Sequence, residues 1–523
     1  MASGLLDKAN IILTPTGYKA GTMYNVAPIE QPYEDFDFAR ASVASRVNSS
    51  GLVEMVGRTL GSELVTNGDF SNGTTDWTNA SSDTFEVVDG GVGHSTSLHI
   101  VVSAVNRGAY QSVFVADKTY YVSLDLKVVS GSVYIGKNTR KLNNQNYNNS
   151  DWQTITGYLV AIDDKIRIYS NEASEFYVDN VSVKEVIDTN NIPRISYDSN
   201  GENGHILLEP TSTNLLPYSE DFTQWSALNG GTGSLPVVTS NTTISPSGEQ
   251  NADTISFDKG SASGGGDYSL LRLDYGGADV DGTASIYLKA DTNVDIEISS
   301  DDGSYQTVSV TNTWQRFSVS DATSDRLSMG LRGTVPSNNT ATVYAWGGQL
   351  EALPYATSYI PTYGSTVTRA TETATGAGSA DLINSTEGVL YAEIESLVNG
   401  GVDRIISLSD ETNNNLIYIR IDNTANRINS FARGGGGTYN ILTVNGVNQT
   451  NTNKIALVWD ASNVRVWING SQSLTQSINN LPTGMKTLSF TSPTGGSPFY
   501  GKVKAVAVFN EALSDSELTQ LTT

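Results

Sequence analysis

Apolar and polar residues alternate along several short stretches of this chain, most clearly at 120–127 and 282–289. An alternation with a period of two places apolar side chains on one face of a β-strand and polar side chains on the other. Only one stretch, near the C-terminus, has the spacing of an amphipathic helix. The pattern predicts an all-β protein built from serial β-sandwich modules.

Two long stretches of the chain can be aligned with each other. In each copy an Asp-Phe pair is followed by a tryptophan, at Phe70 and Trp77 in the first and at Phe222 and Trp225 in the second. Alternating strands and similar closing segments follow in both copies, with room for the strands of a two-sheet jelly roll. The predicted jelly-roll modules are 61–187 and 214–352.

A third module is predicted at 386–523. Strand candidates alternate between 388 and 468, and Asn469-Gly470 has the sequence of a tight hairpin turn. Near the end, Ser514 and Glu517 have the spacing of a helix capping box. We therefore expect a β-sandwich that ends in one short helix.

The remaining segments are small, polar and weakly periodic. We predict an extended N-terminal arm at 1–60 and linkers at 188–213 and 353–385.

Charge and composition narrow the classes of partner. The formal net charge of −24 disfavours nucleic acid and anionic membranes, whereas neutral glycans remain compatible with it. The absence of cysteine excludes disulfides and thiol nucleophiles. The first residues lack the pattern of a secretion signal, and no apolar run is long enough for membrane insertion.

Three passages resemble a modular family of phage and prophage virion proteins of the tail-fibre or head-fibre type. They are Phe38-Ala-Arg-Ala-Ser-Val-Ala-Ser-Arg-Val-Asn-Ser-Ser-Gly-Leu-Val-Glu54, then Asn191-Ile-Pro-Arg-Ile-Ser-Tyr197 with Leu207-Leu-Glu-Pro-Thr-Ser-Thr-Asn-Leu-Leu-Pro-Tyr-Ser-Glu-Asp-Phe222, and Gly347-Gly-Gln-Leu-Glu351 with Thr357-Ser-Tyr-Ile-Pro361 and Val367-Thr-Arg369. The resemblance implies a protein on the surface of a phage particle, bound to other virion proteins through its N-terminal arm and assembled as a homo-oligomer, with a trimer favoured.

The same resemblance implies that 61–187 is inserted into the connection between the first two passages. Residues 39–54 and 193–209 should then lie near each other. The inserted module resembles jelly-roll carbohydrate-binding modules through Leu64-Val-Thr-Asn-Gly-Asp-Phe70 and Phe176-Tyr-Val-Asp-Asn-Val181. The C-terminal module resembles concanavalin A-like or laminin-G-like lectins through Val464-Arg-Val-Trp-Ile-Asn-Gly470.

These resemblances imply attachment to host surface glycans. A decoration or adaptor protein of the capsid, neck or tail is the alternative, and a glycan depolymerase is the third hypothesis. Sugars stack on exposed aromatic rings, so the loop residues Trp77, Trp225 and Tyr439 are the predicted carbohydrate contacts. Four tryptophans within strands are predicted to pack in cores or on sheet surfaces instead: Trp152, Trp314, Trp459 and Trp467.

Jelly-roll relatives of this kind hold a structural calcium, which would nominate Asp69 and Asp179. The relatives carry an acidic residue where Ser71 stands here, which favours a solvated turn over a metal site. No other cofactor is expected. The sequence contains three histidines and no nucleophile motif, so we predict a non-enzymatic protein.

Overall fold

The computed structural model of the chain describes residues 5, 7–26, 35–93, 96–261, 266–334, 336–478 and 480–523, with backbone only at 144. The chain divides into two compact units. One is Arg58–Asp188, which we call the inserted unit, and the other combines Met1–Gly57 with Thr189–Thr523. Nearly all regular structure is β-strand, which confirms the predicted fold class. Within the described residues, no helix has the length and apolar character needed to cross a bilayer.

The N-terminal segment is folded, and its strands belong to three different sheets. Its strands are β1 (Ile11–Leu13), β2 (Tyr18–Lys19), β3 (Thr22–Met23), β4 (Phe36–Ala39), β5 (Ala44–Val47) and β6 (Val53–Val56). Ile11 pairs with Val508 and Leu13 with Val506, and both N-terminal side chains are fully buried. The predicted extended arm is therefore wrong, because this short apolar run completes a sheet formed by the other end of the chain.

The inserted unit is a two-sheet jelly roll. Its strands are β7 (Arg58–Glu63), β8 (Thr78–Ala80), β9 (Thr84–Asp89), β10 (Thr96–Val102), β11 (Gly108–Ser112), β12 (Thr119–Ser130), β13 (Val133–Lys137), β14 (Arg140–Lys141), β15 (Gln153–Val160), β16 (Lys165–Ser170) and β17 (Ser174–Asp188), with a 3₁₀ turn at Leu142–Asn144. One sheet has the order β15-β12-β17-β10-β9, with β7 also on β17, and the other has the order β14-β13-β16-β11-β8. Alternate residues such as Leu124 and Ile168 fill the core between the sheets.

A second jelly roll follows. The strands are β18 (Ile195–Ser196), β19 (His205–Leu208), β20 (Ser212–Asn214), β21 (Ser226–Gly230), β22 (Ser234–Thr243), β23 (Ala252–Asp258), β24 (Tyr268–Asp274), β25 (Val280–Lys289), β26 (Val294–Ser299), β27 (Gln306–Val310), β28 (Gln315–Ser324), β29 (Arg326–Arg332) and β30 (Thr340–Glu351), with a 3₁₀ turn at Phe222–Gln224. Its two sheets have the orders β22-β23-β30-β25-β28 and β21-β24-β29-β26-β27. Each matches the corresponding sheet of the inserted unit strand for strand, so the aligned sequence copies share one topology.

The C-terminal sandwich contains the largest core. The remaining elements are β31 (Val367–Arg369), β32 (Thr373–Thr375), β33 (Gly388–Ser396), β34 (Arg404–Ser409), β35 (Leu416–Ile421), β36 (Arg427–Arg433), β37 (Asn440–Asn445), β38 (Asn453–Trp459), β39 (Asn463–Ile468), β40 (Ser471–Ser477), β41 (Thr487–Ser489), β42 (Gly501–Phe509) and helix α1 (Asp515–Thr522). One sheet has the order β18-β19-β42-β33-β38-β39-β40, with β1 also on β42, and the other has the order β37-β36-β35-β34-β41. Ser514 and Glu517 form the predicted capping box of α1.

The segments predicted as linkers are folded and paired. Strands β18 and β19 extend a sheet of the C-terminal sandwich, β20 pairs with β31, and β32 pairs with β4. The prediction of linkers at 188–213 and 353–385 is therefore wrong. Low hydrophobic periodicity was misleading here because much of the buried surface of these segments is polar.

Five buried charges form what we call the ion-pair hub: Arg40, Arg194, Glu209, Arg369 and Glu372. Their side chains are at most 2% exposed. Arg40 contacts Glu372 at 2.6 Å, and Glu209 lies 2.8 Å from both Arg194 and Arg369. Although burial opposes ionisation, the two arginines lower the pKa of Glu209 to about 2.

The hub joins the passages that carry the family resemblance. Arg194 also donates to the carbonyl of Ser45 at 2.6 Å, so residues 39–54 and 193–209 do lie together. Removing one partner of a buried ion pair leaves the other charge uncompensated, which strongly destabilises the fold. Each of the five hub residues is therefore needed to stabilise the others in the core.

Candidate functional site

The two tryptophans predicted to contact sugar are core residues. Trp77 is 6% exposed and Trp225 is 4% exposed. Each indole N–H donates to a backbone carbonyl at 3.0 Å, that of Asn67 for Trp77 and that of Tyr218 for Trp225. Each ring also packs against the phenylalanine of its own motif, at centroid distances of 5.4 and 4.8 Å. The prediction is wrong for both, because the phenylalanine and tryptophan of the shared motif pack in the core of each sandwich.

The two aspartates nominated for calcium accept hydrogen bonds from nearby turns. The exposed Asp69 accepts hydrogen bonds from the backbone N–H and hydroxyl of Ser71. The buried Asp179 accepts the backbone N–H groups of Val92 and Asn180, both at 2.7 Å. In the described parts of the chain, no three acidic or histidine side chains gather in a way that could hold a metal. Because calcium takes six to eight oxygen ligands, these residues fit a role in local turns better.

Tyr439, the third predicted contact, belongs to an aromatic row. Along β35 and β36, odd and even residues alternate between the core and the opposite, outer face of the sheet. On this outer side Tyr418 and Phe431 are buried, at 9% and 5% exposure, and Tyr439 is half-buried. Tyr418 stacks on Phe431 with centroids 4.4 Å apart, and Phe431 meets Tyr439 edge-on at 6.0 Å. Ile441 follows in register with Phe431 and is 49% exposed. We call these four residues the C-terminal face.

Two arginines flank the C-terminal face, and their guanidinium groups contact carboxylates or backbone carbonyls. Arg420 lies 4.7 Å from the Phe431 ring and is paired with Asp403 and Asp422. Arg433 lies 4.5 Å from the Tyr439 ring and donates to backbone carbonyls of the glycine-rich loop. Arg433 therefore holds this loop beside Tyr439.

The hydroxyl group of Tyr418 remains protonated. Burial raises the pKa of Tyr418 to about 12, with a smaller opposing effect of Arg420. The accessible part of the C-terminal face is the half-buried Tyr439 with the exposed Ile441, which suits a neutral ligand with apolar C–H patches.

A second aromatic face lies in the inserted unit, on the outer side of the sheet β14-β13-β16-β11-β8. Tyr134 and Tyr169 are cross-strand partners with ring centroids 6.2 Å apart. On the neighbouring strand, the Tyr110 ring lies under the ammonium group of Lys165 at 4.5 Å. Burial raises the pKa of Tyr134 to about 12. We call Tyr110, Tyr134 and Tyr169 the tyrosine face.

Sequence reasoning missed the tyrosine face, although a signal was present. In Lys165-Ile-Arg-Ile-Tyr169 the isoleucines enter the core, so the alternation itself places Lys165, Arg167 and Tyr169 outside. The predicted contacts were two tryptophans and one tyrosine in loops, whereas the aromatic residues of both faces are tyrosines and one phenylalanine on or next to strands.

The comparisons with known proteins concern parts of the chain. Residues 390–519 match the model of the concanavalin A-like lectin/glucanases superfamily. This match covers the C-terminal sandwich and its aromatic face. A search of curated proteins found no match.

Among solved structures, the chain is similar to the CBM40 of the Ruminococcus gnavus IT-sialidase, with 19% identity, 28% of this chain and 94% of that chain covered, and a TM-score of 0.25. It is also similar to the CBM22-1-CBM22-2 tandem domain of Paenibacillus barcinonensis Xyn10C, with 14% identity, 56% and 98% coverage, and a TM-score of 0.22. Domain 4 of AbnA, a GH43 arabinanase from Geobacillus stearothermophilus, matches at 13% identity, 29% and 73% coverage, and a TM-score of 0.24.

Proposed function

We propose that this protein binds glycans without cleaving them, and that the C-terminal face is a main binding surface. The observation that carries the proposal is the partly exposed Tyr439 and the exposed Ile441, packed beside the buried Phe431 on the outer face of a sandwich whose residues 390–519 match a lectin and glucanase superfamily. A sugar ring would pack its C–H side on Tyr439 and Ile441, where the row is most exposed.

The charges around the row support binding over hydrolysis. Glycoside hydrolysis needs a carboxylic acid with a raised pKa beside a second, ionised carboxylate. Asp422 has the opposite environment: burial disfavours its charge, but hydrogen bonds from the Thr424 N–H and from Arg427 keep its pKa below the ordinary value. Asp403 is paired with Arg420. These two aspartates are therefore built to hold the flanking arginines.

We further propose that the chain is a structural protein on the surface of a bacteriophage particle, with host surface glycans as its ligands. The resemblance of the three passages that meet at the ion-pair hub supports this setting. Contact with other virion proteins would use folded surfaces of the N-terminal segment, and a trimer is the proposed assembly. A decoration or adaptor protein that binds only neighbouring subunits is the competing function.

A glycan array probed with the full chain tests the proposal. We expect binding to neutral glycans, and we expect Tyr439→Ala to weaken it roughly tenfold, the equivalent of about 1.4 kcal/mol. Tyr344→Ala is the matched control, because Tyr344 is a strand tyrosine of the second jelly roll that is hydrogen-bonded to Asp291.

Two results would contradict the proposal. Glycan binding that survives Tyr439→Ala would remove the C-terminal face as the site. Release of oligosaccharides from the bound glycan would overturn the assignment as a binding protein. Attachment to purified phage particles without any glycan binding would favour the adaptor function.

A further inference from the structure

A polar cleft of about 510 Å³ lies between the second jelly roll and the C-terminal sandwich, within one compact unit. Tyr287 and Arg316 line it from the jelly roll, and Lys502 and Lys504 line it from β42. The β18–β19 hairpin closes one side with Tyr197 and His205. Its volume falls in the range of small-ligand sites.

The carboxylates that line the cleft are already engaged. Glu209 is part of the ion-pair hub, and Glu395 pairs with Lys502. Asp198 accepts two backbone N–H groups and the side-chain amide of Asn203. None of the three is left to neutralise a further cation.

Two cations of the cleft lack a carboxylate partner within the described residues. The guanidinium of Arg316 donates only to neutral acceptors, the Thr357 carbonyl at 2.6 Å and the Ser285 hydroxyl at 2.9 Å. The ammonium group of Lys504 makes no ion pair or hydrogen bond in the part of the chain that the structure describes. A chain with net charge −24 thus keeps two unmatched positive groups at one cleft.

Neutral polar groups complete the lining. The Nδ1 of His205 lies 3.0 Å from the Asn203 carbonyl and therefore donates to it, which leaves Nε2 as an acceptor. The hydroxyl of Tyr197 has no protein partner among the described residues. The Tyr287 ring lies 5.3 Å from the Arg316 guanidinium and adds an aromatic wall.

We propose that this cleft binds an acidic sugar, with the carboxylate held between Arg316 and Lys504 and the ring hydroxyls at Tyr197 and His205. Charge-assisted hydrogen bonds to a carboxylate are stronger than neutral ones, so the acid group would supply most of the selectivity. The site is separate from the C-terminal face, and its ligand class differs from the neutral glycans proposed there.

Titration of the full chain with glucuronic acid and N-acetylneuraminic acid, followed by calorimetry or ligand-observed NMR, tests the inference. Glucose and galactose are the neutral probes. We expect saturable binding of at least one acidic sugar and none of the neutral pair in the cleft. Raising the salt concentration should weaken the binding, because the contacts are ionic.

Variants locate the binding. Lys504→Gln should weaken it about tenfold, and Arg316→Lys should weaken it while preserving charge and fold. Lys486→Gln removes one positive charge elsewhere on the C-terminal sandwich and should have no effect. Tyr439→Ala should also leave acidic-sugar binding unchanged, which separates this site from the C-terminal face.

Absence of saturable binding for both acidic sugars would overturn the inference, and so would glucose binding of equal strength that Lys504→Gln weakens and Tyr439→Ala leaves unchanged. Binding that Lys504→Gln leaves intact would place the acidic-sugar site elsewhere and overturn the assignment to this cleft.

Discussion

The inserted unit and the second jelly roll are two copies of one scaffold with different outer surfaces. Both have the same sheet orders, and both contain a buried Phe-Trp pair whose indole N–H reaches a backbone carbonyl. The corresponding five-stranded sheets differ on their outer faces. The inserted unit has the tyrosine face, whereas the outward positions of β24 and β29 in the second jelly roll include charged residues, namely Arg272, Asp274, Arg326 and Arg332, beside a single tyrosine, Tyr268.

The charged face of the second jelly roll is internally neutralised. Arg272 contacts Asp274 at 3.2 Å, and Arg326 contacts Asp325 at 2.5 Å and Asp274 at 3.3 Å. Partly exposed pairs of this kind contribute little to stability. The comparison teaches that residues shared by both copies maintain the fold, whereas ligand contacts have to be sought where the copies differ.

Substitution in the ion-pair hub should give the largest difference between the two regions. Arg194→Ala would leave Glu209 and Glu372 undercompensated in a buried site, with an expected loss of about 3–5 kcal/mol. Hydrogen exchange resolved by peptide should report the loss in 189–523 and leave 58–188 unchanged. Arg465→Ala, at an exposed pair with Asp515, is the control and should change stability by less than about 1 kcal/mol. Equal loss in both regions would contradict the division into units.

The shared tryptophans should behave alike. Trp77→Ala and Trp225→Ala each remove a large buried ring, so each should destabilise its own jelly roll by about 3–5 kcal/mol. Denaturant unfolding followed by hydrogen exchange distinguishes the two regions. A variant that kept full stability but lost glycan binding would restore the original prediction that these rings contact sugar.

Acid should destabilise the unit that contains the hub. The pKa of Glu209 is lowered from 4.5 to about 2, so its contribution to stability is present above pH 4.5 and is lost as pH falls toward 2. The expected loss is roughly 3 kcal/mol. Glu209→Gln should flatten this part of the pH profile, measured by chemical denaturation between pH 6 and pH 2. An unchanged profile in that variant would exclude Glu209 as the cause.

The tyrosine face allows the inserted unit and the second jelly roll to be compared by their glycan binding. If this face binds saccharides as the C-terminal face is proposed to do, Tyr169→Ala should weaken that binding roughly tenfold. Tyr305→Ala in the second jelly roll, where the ring lies 4.7 Å from Arg332, should have no effect. Glycan arrays of both variants check the prediction. A larger loss of binding in Tyr305→Ala would place the glycan site on the second jelly roll instead of the inserted unit.

Calcium should have the smallest effect. Because Asp69 and Asp179 accept hydrogen bonds from their own turns, added calcium should leave the melting temperature of the inserted unit unchanged. A chelator provides the control. A clear rise in melting temperature with calcium, reversed by the chelator, would establish the metal site that the arrangement disfavours.

The sequence was sufficient to predict strands of the sheets but not the buried ion-pair hub. Alternation at 120–127 and 282–289 predicted buried strands correctly, because a half-buried strand imposes a period of two. The hub could not be predicted from such a pattern, since Arg40, Arg194 and Glu372 are isolated charges in polar segments that meet only in three dimensions.

The candidate site was predictable in part. Tyr439 follows the glycine-rich loop directly in the sequence, but its neighbours Tyr418 and Phe431 lie on strands whose register the sequence does not specify. Trp77 and Trp225 were misplaced because a tryptophan that follows a polar loop can face either solvent or core. The two orientations are distinguished by the backbone carbonyl that accepts the indole N–H, and the sequence does not reveal that partner.

The pairing of β1 with β42 affects how the protein folds after synthesis. One edge of β42 is paired with β33, and the other is completed by Ile11–Leu13 and by β19. The C-terminal sandwich therefore contains strands from the N-terminal and the C-terminal segments. Strand β1 cannot pair until β42 has been translated. The inserted unit has no such dependence, so we expect it to fold first, while the ribosome is still adding the lectin-like strands.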